Sequence, residues 1–312
     1  MADFQHATVM AKECTEALRP ALSGADKVFL DATLGLGGHT EAMLHAFSSI
    51  RVIAIDRDDE ALTRSRIRLQ PFSDQIEFIK ADFDSLPEIL DDLAVEGIDG
   101  ILFDLGVSSL QLDDESRGFS YQRDARLDMR MNLNQEVSAY EIVNTFSQEQ
   151  LEKVLFEYGE EKYAKKIVAS ILQNRPITTT QELVEVIKGA LPAFVLRKSG
   201  HPARKTFQAI RIEVNQELVQ LKTALNAALE ALNPGGRIAV LTYHSLEDRI
   251  VKNLFRQLSS SSAPIDLPTV PELAPYVLVY PKGLEPSEDE VFVNPRSRSA
   301  RLRVLAARGL AA

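Results

Sequence analysis

The first hundred residues alternate short apolar runs with amphipathic stretches. The runs 28–33, 51–56, 76–82 and 98–104 each end in a polar break and read as buried strands. Helical periodicity separates them at 40–48, 58–69 and 86–95. The last helix opens on Ser85-Leu86-Pro87-Glu88, the spacing of a capping box. Asp58 is placed to cap the middle one. Alternating strand and helix predicts a parallel sheet with helices on both faces. Ligands in such sheets sit beyond the carboxyl ends of the strands. Asp31, Asp56, Asp82 and Asp104 fall at those ends and are expected to converge on one crevice.

Beyond Asp104 the alternation stops. Residues 108–205 are helical or irregular, with helix starts at Ser138-Ala-Tyr-Glu141 and Ser147-Gln-Glu-Gln150. Apolar residues recur at helical spacing in 151–158, 163–172 and 183–190. One long helix is predicted next, carrying Phe207, Ile210, Val214, Leu218, Leu221, Leu225 and Leu232 on a stripe, until Asn233-Pro-Gly-Gly236 stops it. Residues 237–243 resume the sheet. Ser259 to Ala263, followed by prolines, reads as a mobile loop. Residues 276–280 and 302–305 supply a closing antiparallel pair. The expected fold is therefore α/β, a doubly wound Rossmann-like sheet with an inserted all-helical domain. Residues 1–107 and 206–312 form the sheet domain and 108–205 the insertion.

Composition narrows the function. A length of 312 residues suggests about two domains. A net charge of −10 argues against wholesale coating of nucleic acid, but leaves room for local basic patches. The single cysteine, Cys14, excludes an intrachain disulfide and fits a reducing, cytoplasmic setting. No signal peptide is read at the N-terminus, and no apolar run reaches the roughly 20 residues that span a bilayer. The five scattered histidines and one cysteine show no metal-ligand spacing, so no metal is expected.

The densest chemistry lies in Asp31-Ala-Thr-Leu-Gly-Leu-Gly-Gly-His39. Strand, glycine loop and helix is the layout of a nucleotide-like cofactor site. The dinucleotide fingerprint would need glycine at Thr40; Gly37-Gly38-His39 stands there instead. With carboxylates nearby, the loop suits the cation S-adenosylmethionine (SAM) better than NAD; a tight turn without ligand is the plain alternative. Asp56, about 20 residues on, is placed to accept both ribose hydroxyls. Asp104-Leu-Gly-Val-Ser-Ser-Leu-Gln-Leu-Asp113 leaves the fourth strand as a substrate-facing segment or a polar loop. Asp104 is a candidate cofactor contact first, and an acceptor for a reacting amine as a second role. His244 ends the fifth strand and is a weaker substrate contact; Ser245 with Asp248 reads as an N-cap. In His201-Pro-Ala-Arg-Lys-Thr-Phe207, Arg204 and Lys205 suit phosphate, or form a solvated turn. Asn294–Arg303 holds four arginines. Arg301 and Arg303 read as the solvent face of an edge strand, and Arg296 and Arg298 as RNA contacts.

Together these segments resemble the MraW (RsmH) family of bacterial 16S rRNA (cytosine-N4)-methyltransferases. The matching stretches are 31–39, 104–113, 127–131, 201–215, 244–252 and 294–304. The resemblance implies a SAM-dependent methyltransferase fold whose insertion serves substrate recognition. It implies methyl transfer to a cytidine in the decoding centre of 16S rRNA within the small ribosomal subunit. Its cofactor contacts fall on Gly37, Gly38, His39, Asp56, Phe83, Asp104 and Gln111. Leu110 and Arg126 depart from the family, which carries proline at both. A homodimer stays open. Two rivals remain at this point: a small-molecule methyltransferase with the insertion as a lid, and an RNA-binding assembly factor with an inactive cofactor fold.

Overall fold

The computed structural model describes residues 8–107, 111, 114–197, 200–260 and 273–309. The chain divides into two compact units, residues 1–106 with 219–312, and Val107–Leu218.

The first unit is built on a seven-stranded sheet, ordered β3-β2-β1-β4-β5-β7-β6. The strands are β1 (Lys27–Asp31), β2 (Ile50–Asp56), β3 (Ile76–Lys80), β4 (Ile98–Asp104), β5 (Leu232–Thr242), β6 (Tyr276–Leu278) and β7 (Arg301–Ala307). The first five run parallel; β7 runs antiparallel to β5 and β6 antiparallel to β7. β4 is buried from Ile98 to Phe103, the near-continuous apolar run that a strand covered on both faces requires. Alternate residues feed two cores. Phe29, Val52, Ala54 and Leu102 pack with Leu18 and Met43 of the helices Ala11–Leu22 and Gly38–Ala46. Leu30, Ile53, Ile55, Ile101 and Phe103 pack on the other face with Ile89, Leu225 and Val251. Each such side chain contributes about 1.5–3 kcal/mol relative to exposure. The helix Ala11–Leu22 lies outside the predicted alternation.

The second unit is all-helical among its described residues, apart from one backbone bridge between Arg126 and Thr179. Its core gathers Leu127, Met129, Ile142, Leu155, Ile167, Leu183 and Ile210. The expected capping boxes form at Ser138–Glu141 and Ser147–Gln150, and a third at Thr179–Glu182.

Four local expectations change. The long helix breaks into Arg204–Asn215 and Glu217–Glu230 at Gln216, whose φ is 51°. Asn215 drives the break: its amide donates to the Met129 carbonyl and accepts from Met131 N–H, at 2.9 and 2.8 Å. Phe207, Ile210 and Val214 lie in the insertion's core, so the chain leaves that unit after 218 rather than at 206. Ser85 makes no side-chain cap; Pro87 lies in the first turn that follows. β7 is flanked by strands on both sides, so Arg301 and Arg303 are not an edge strand's solvent face. Arg303 is buried and pairs with Asp248 at 2.6 and 3.0 Å, while Arg301 pairs with Glu285. Leu110, and the predicted loop from Ser261 to Ala263, lie outside the described residues.

Candidate functional site

The carboxyl ends of β1, β2 and β4 each carry an aspartate, as the alternation predicted. Asp82 stands two residues past β3 and pairs with Arg57 Nε at 2.8 Å. The four differ in chemistry because their neighbours differ.

Asp31 is a structural latch. Its carboxylate accepts from Thr33 N–H at 3.2 Å and from the Thr40 hydroxyl at 2.7 Å, closing the glycine loop onto the following helix. Burial raises its pKa, partly offset by the Thr40 hydrogen bond. Thr33 ties the loop to β4 by accepting from Asp104 N–H at 2.6 Å.

Asp56 grips the same loop from β2. One oxygen accepts from Gly35 N–H at 2.7 Å and the other from Asp58 N–H at 2.9 Å. Asp58 caps the next helix by accepting from Glu60 N–H, as expected. Burial lifts the Asp56 pKa to about 6 against these two hydrogen bonds. Each oxygen keeps a second lone pair, so the carboxylate retains acceptor capacity toward a diol.

The glycines have separate reasons. Gly37 is left-handed at φ 75°, and a Cβ there would lie 2.9 Å from the Leu69 side chain. At Gly38 a Cβ would lie 2.0 Å from the Thr8 hydroxyl, so this glycine admits the N-terminal segment against the loop. His39 follows, 5% exposed, and neither ring nitrogen has a hydrogen-bond partner among the described residues. Its Nε2 lies 3.4 Å from Asp104 Oδ2, an ion-pair distance without hydrogen-bond geometry. Burial pushes the His39 pKa down, but Asp104 and then Asp31 outweigh it, and the net shift is upward.

Asp104 is oriented by a residue that the sequence analysis does not single out. Tyr243, just past β5, donates its hydroxyl to Asp104 Oδ1 at 2.6 Å. β5 neighbours β4, with Leu241 opposite Asp104, so a polar group two residues beyond that register was the available signal. Burial first, then Asp104, holds the Tyr243 phenol well above its ordinary pKa. It therefore stays a donor. Gly106 makes room for the ring, because a Cβ there would come within 3.2 Å of it.

Phe83 packs edge-on against Phe103 at 6.1 Å between centroids, with the Arg57 guanidinium 5.6 Å over its ring. Gln111 is buried and belongs to the insertion unit. The structure thus brings Gly37, Gly38, His39, Asp56 and Asp104 together through the loop's own hydrogen bonds and the His39–Asp104 pair.

His244 has a different task. It, not Ser245, is the N-cap of the helix Ser245–Leu258: Nδ1 accepts from Glu247 N–H at 3.4 Å, and Glu247 reaches back to His244 N–H at 3.2 Å. Its Nε2 lies 2.9 Å from the buried Glu247 carboxylate. Asp248 is engaged with Arg303 instead of capping.

Of the basic candidates, Arg204 is exposed in the first turn of its helix, and Lys205 donates to the Glu160 carbonyl at 2.9 Å. Arg296 and Arg298 are exposed on either side of the fully buried Ser297.

The donor set fits SAM. A carboxylate with spare acceptor capacity, a tight glycine turn and a buried histidine whose Nδ1 has no hydrogen-bond partner among the described residues leave polar atoms that a polar ligand would satisfy.

Comparison with known proteins adds the family. A protein of Streptomyces avermitilis named ribosomal RNA small subunit methyltransferase H is 48% identical over 308 residues, covering 97% of each chain. One of the same name from Thermobifida fusca is 47% identical over 303 residues, covering 96% of this chain and 92% of its own. Among solved structures, a methyltransferase from Streptococcus mutans in complex with SAH aligns over 96% of this chain and 99% of its own, at 14% identity and a TM-score of 0.47. The profile of the MraW methylase family matches residues 3–308, and the chain belongs to that family.

Proposed function

We propose that this chain transfers a methyl group from SAM to the exocyclic N4 amine of a cytidine in the decoding centre of 16S rRNA. The observation that carries the reading is the 48% identity, over 97% of the chain, to a protein named ribosomal RNA small subunit methyltransferase H. When bound, SAM supplies an electrophilic methyl group on a sulfonium.

Asp56 holds the ribose hydroxyls, and the Gly37–His39 turn, Phe83, Asp104 and Gln111 complete the cofactor's contacts. The cytosine amine is a weak nucleophile because its lone pair is delocalised into the ring. Asp104, fixed by the Tyr243 hydroxyl, is the group suited to accept an amine N–H so that the nitrogen can pyramidalise. Proximity and alignment supply most of the acceleration. Proton loss follows transfer, so no strong general base is demanded. His244 is assigned no step, since its ring is used in the helix cap. The insertion recognises the rRNA around the target, with Arg204 and Lys205 on the insertion, and Arg296 and Arg298 on the sheet unit, as phosphate contacts. The reaction is set in the cytoplasm, and sedimentation would check for a homodimer.

The test uses purified small ribosomal subunits from cells lacking this protein, labelled SAM and nucleoside mass spectrometry. Cytidine methylated at N4 is expected. Label on another base, on a ring carbon or on no RNA overturns the proposal.

A further inference from the structure

We infer that Phe292 is a stacking platform for an unpaired base of the substrate RNA, set beside Arg296 and Arg298. The inference rests on the proposed rRNA substrate and adds a contact that neither charge nor family assigns.

Phe292 is 87% exposed, the highest value among the large apolar side chains described, and its neighbour Val293 is 73% exposed. A ring left in water forgoes about 1.5–3 kcal/mol of burial. Here the backbone around it is pinned at successive points. Ser287 caps the short helix Glu288–Val293 by accepting from Glu290 N–H at 3.1 Å. The Glu290 carboxylate accepts from Met10 N–H at 2.7 Å, anchoring that helix to a distant part of the chain. Asn294 N–H donates to the Glu290 carbonyl at 2.6 Å, and its side chain accepts from Arg296 N–H at 3.3 Å. The Ser297 hydroxyl donates to the Asn294 carbonyl at 2.8 Å, and Ser297 itself is fully buried. The tight turn Pro295–Ser299 therefore presents Arg296 and Arg298 outward from a fixed base. The backbone that carries the ring and the two guanidinium groups is fixed before any partner arrives, which lowers the cost of binding.

Chemistry selects the partner. An exposed aromatic face next to two exposed arginines is what an unpaired polynucleotide uses: the ring takes a base, the cations take phosphates. The exposed Glu288 and Asp289, at the far end of the same helix, would repel phosphate and confine the strand to the arginine side. A second copy of this chain offers separate carboxylates rather than the continuous row of phosphates that clustered cations suit, so RNA is the better complement.

The experiment compares full-length wild type, Phe292→Ala, Phe292→Tyr and Arg296→Gln/Arg298→Gln. It measures affinity for purified small subunits and for a single-stranded RNA oligonucleotide across salt concentrations. SAM affinity serves as the folding control, and sedimentation as the assembly control. Phe292→Ala is expected to weaken RNA binding about 5- to 150-fold with the salt slope unchanged, and Phe292→Tyr to keep wild-type affinity. The arginine pair is expected to flatten the salt slope. Wild-type affinity in Phe292→Ala, with the arginine variant weakened, overturns the stacking inference and leaves the proposed function standing. A change in sedimentation without a change in RNA affinity also overturns it, and makes the patch an interface between copies. Failure of the wild type to bind small subunits removes the proposed function first.

Discussion

Both oxygens of Asp56 accept backbone N–H groups, yet burial still lifts its pKa from 3.8 to about 6. The folded state therefore holds the proton more tightly than the unfolded chain does. Stability from this group is fully present below pH 3.8 and is lost as pH rises through about 6. At neutral pH the ionised carboxylate is a cost on the order of 3 kcal/mol, which a ligand's hydroxyl donors would offset. Calorimetry should show SAM affinity falling as pH drops through about 6, with that slope absent from Asp56→Asn. Asp56→Ala should weaken SAM binding by about 1.5–3 kcal/mol, and unchanged affinity in a folded variant would remove the assignment. Asp104→Asn keeps the size of the side chain but replaces one acceptor by a donor facing Tyr243 or the amine. Single-turnover rates should fall steeply there, with a smaller loss of cofactor affinity. Tyr243→Phe should lower the rate about 10- to 150-fold, the loss of one hydrogen bond to a charged group. Wild-type rates in both would take Asp104 out of the chemistry. The aspartates could be read from sequence because strand ends announce themselves. Tyr243 could not, because its role depends on β5 lying beside β4.

Elements were legible where one segment decides its own fate. The parallel strands and the Ser138 and Ser147 caps depend on local pattern, and they form as read. The break at Gln216 depends on Asn215 reaching Met129 and Met131, more than eighty residues away in sequence, and periodicity along one helix carries no trace of that. Arg303 misled for the same reason: alternation gave its strand, but the partner of its buried charge is Asp248, 55 residues back in the chain. Asn215→Ala leaves the Met131 N–H and the Met129 carbonyl short of a partner. A loss of about 1–3 kcal/mol per orphaned group follows. Hydrogen exchange should locate it in residues 127–131 and 204–215, and protection equal to wild type there would refute the role given to Asn215. Asp248→Asn should weaken β7 pairing by leaving the buried Arg303 charge under-compensated, visible as a lower melting temperature.

At the scale of the whole molecule, an acidic protein of net charge −10 must bind a polyanion through local cations. Neutralising Arg204, Lys205, Arg296 and Arg298 should reduce the salt slope of RNA binding by about 0.7–0.9 for each phosphate no longer neutralised, with SAM affinity unchanged. A fourfold variant with the wild-type slope would show that these residues do not touch phosphate. Lys205 is expected to contribute least, since its ammonium is already tied to the Glu160 carbonyl. The sheet's order has a further consequence, in time. β7 lies between β5 and β6, and it follows both in the chain. During synthesis, one edge of β5 and the strand β6 stay unpaired until residues 301–307 have left the exit tunnel. A nascent chain stalled earlier presents one open edge of β5 and an unpaired β6, the kind of surface on which aggregation starts and which chaperones seek. The sheet's last join therefore waits on residues 301–307, and a premature stop codon before Arg301 would remove that join.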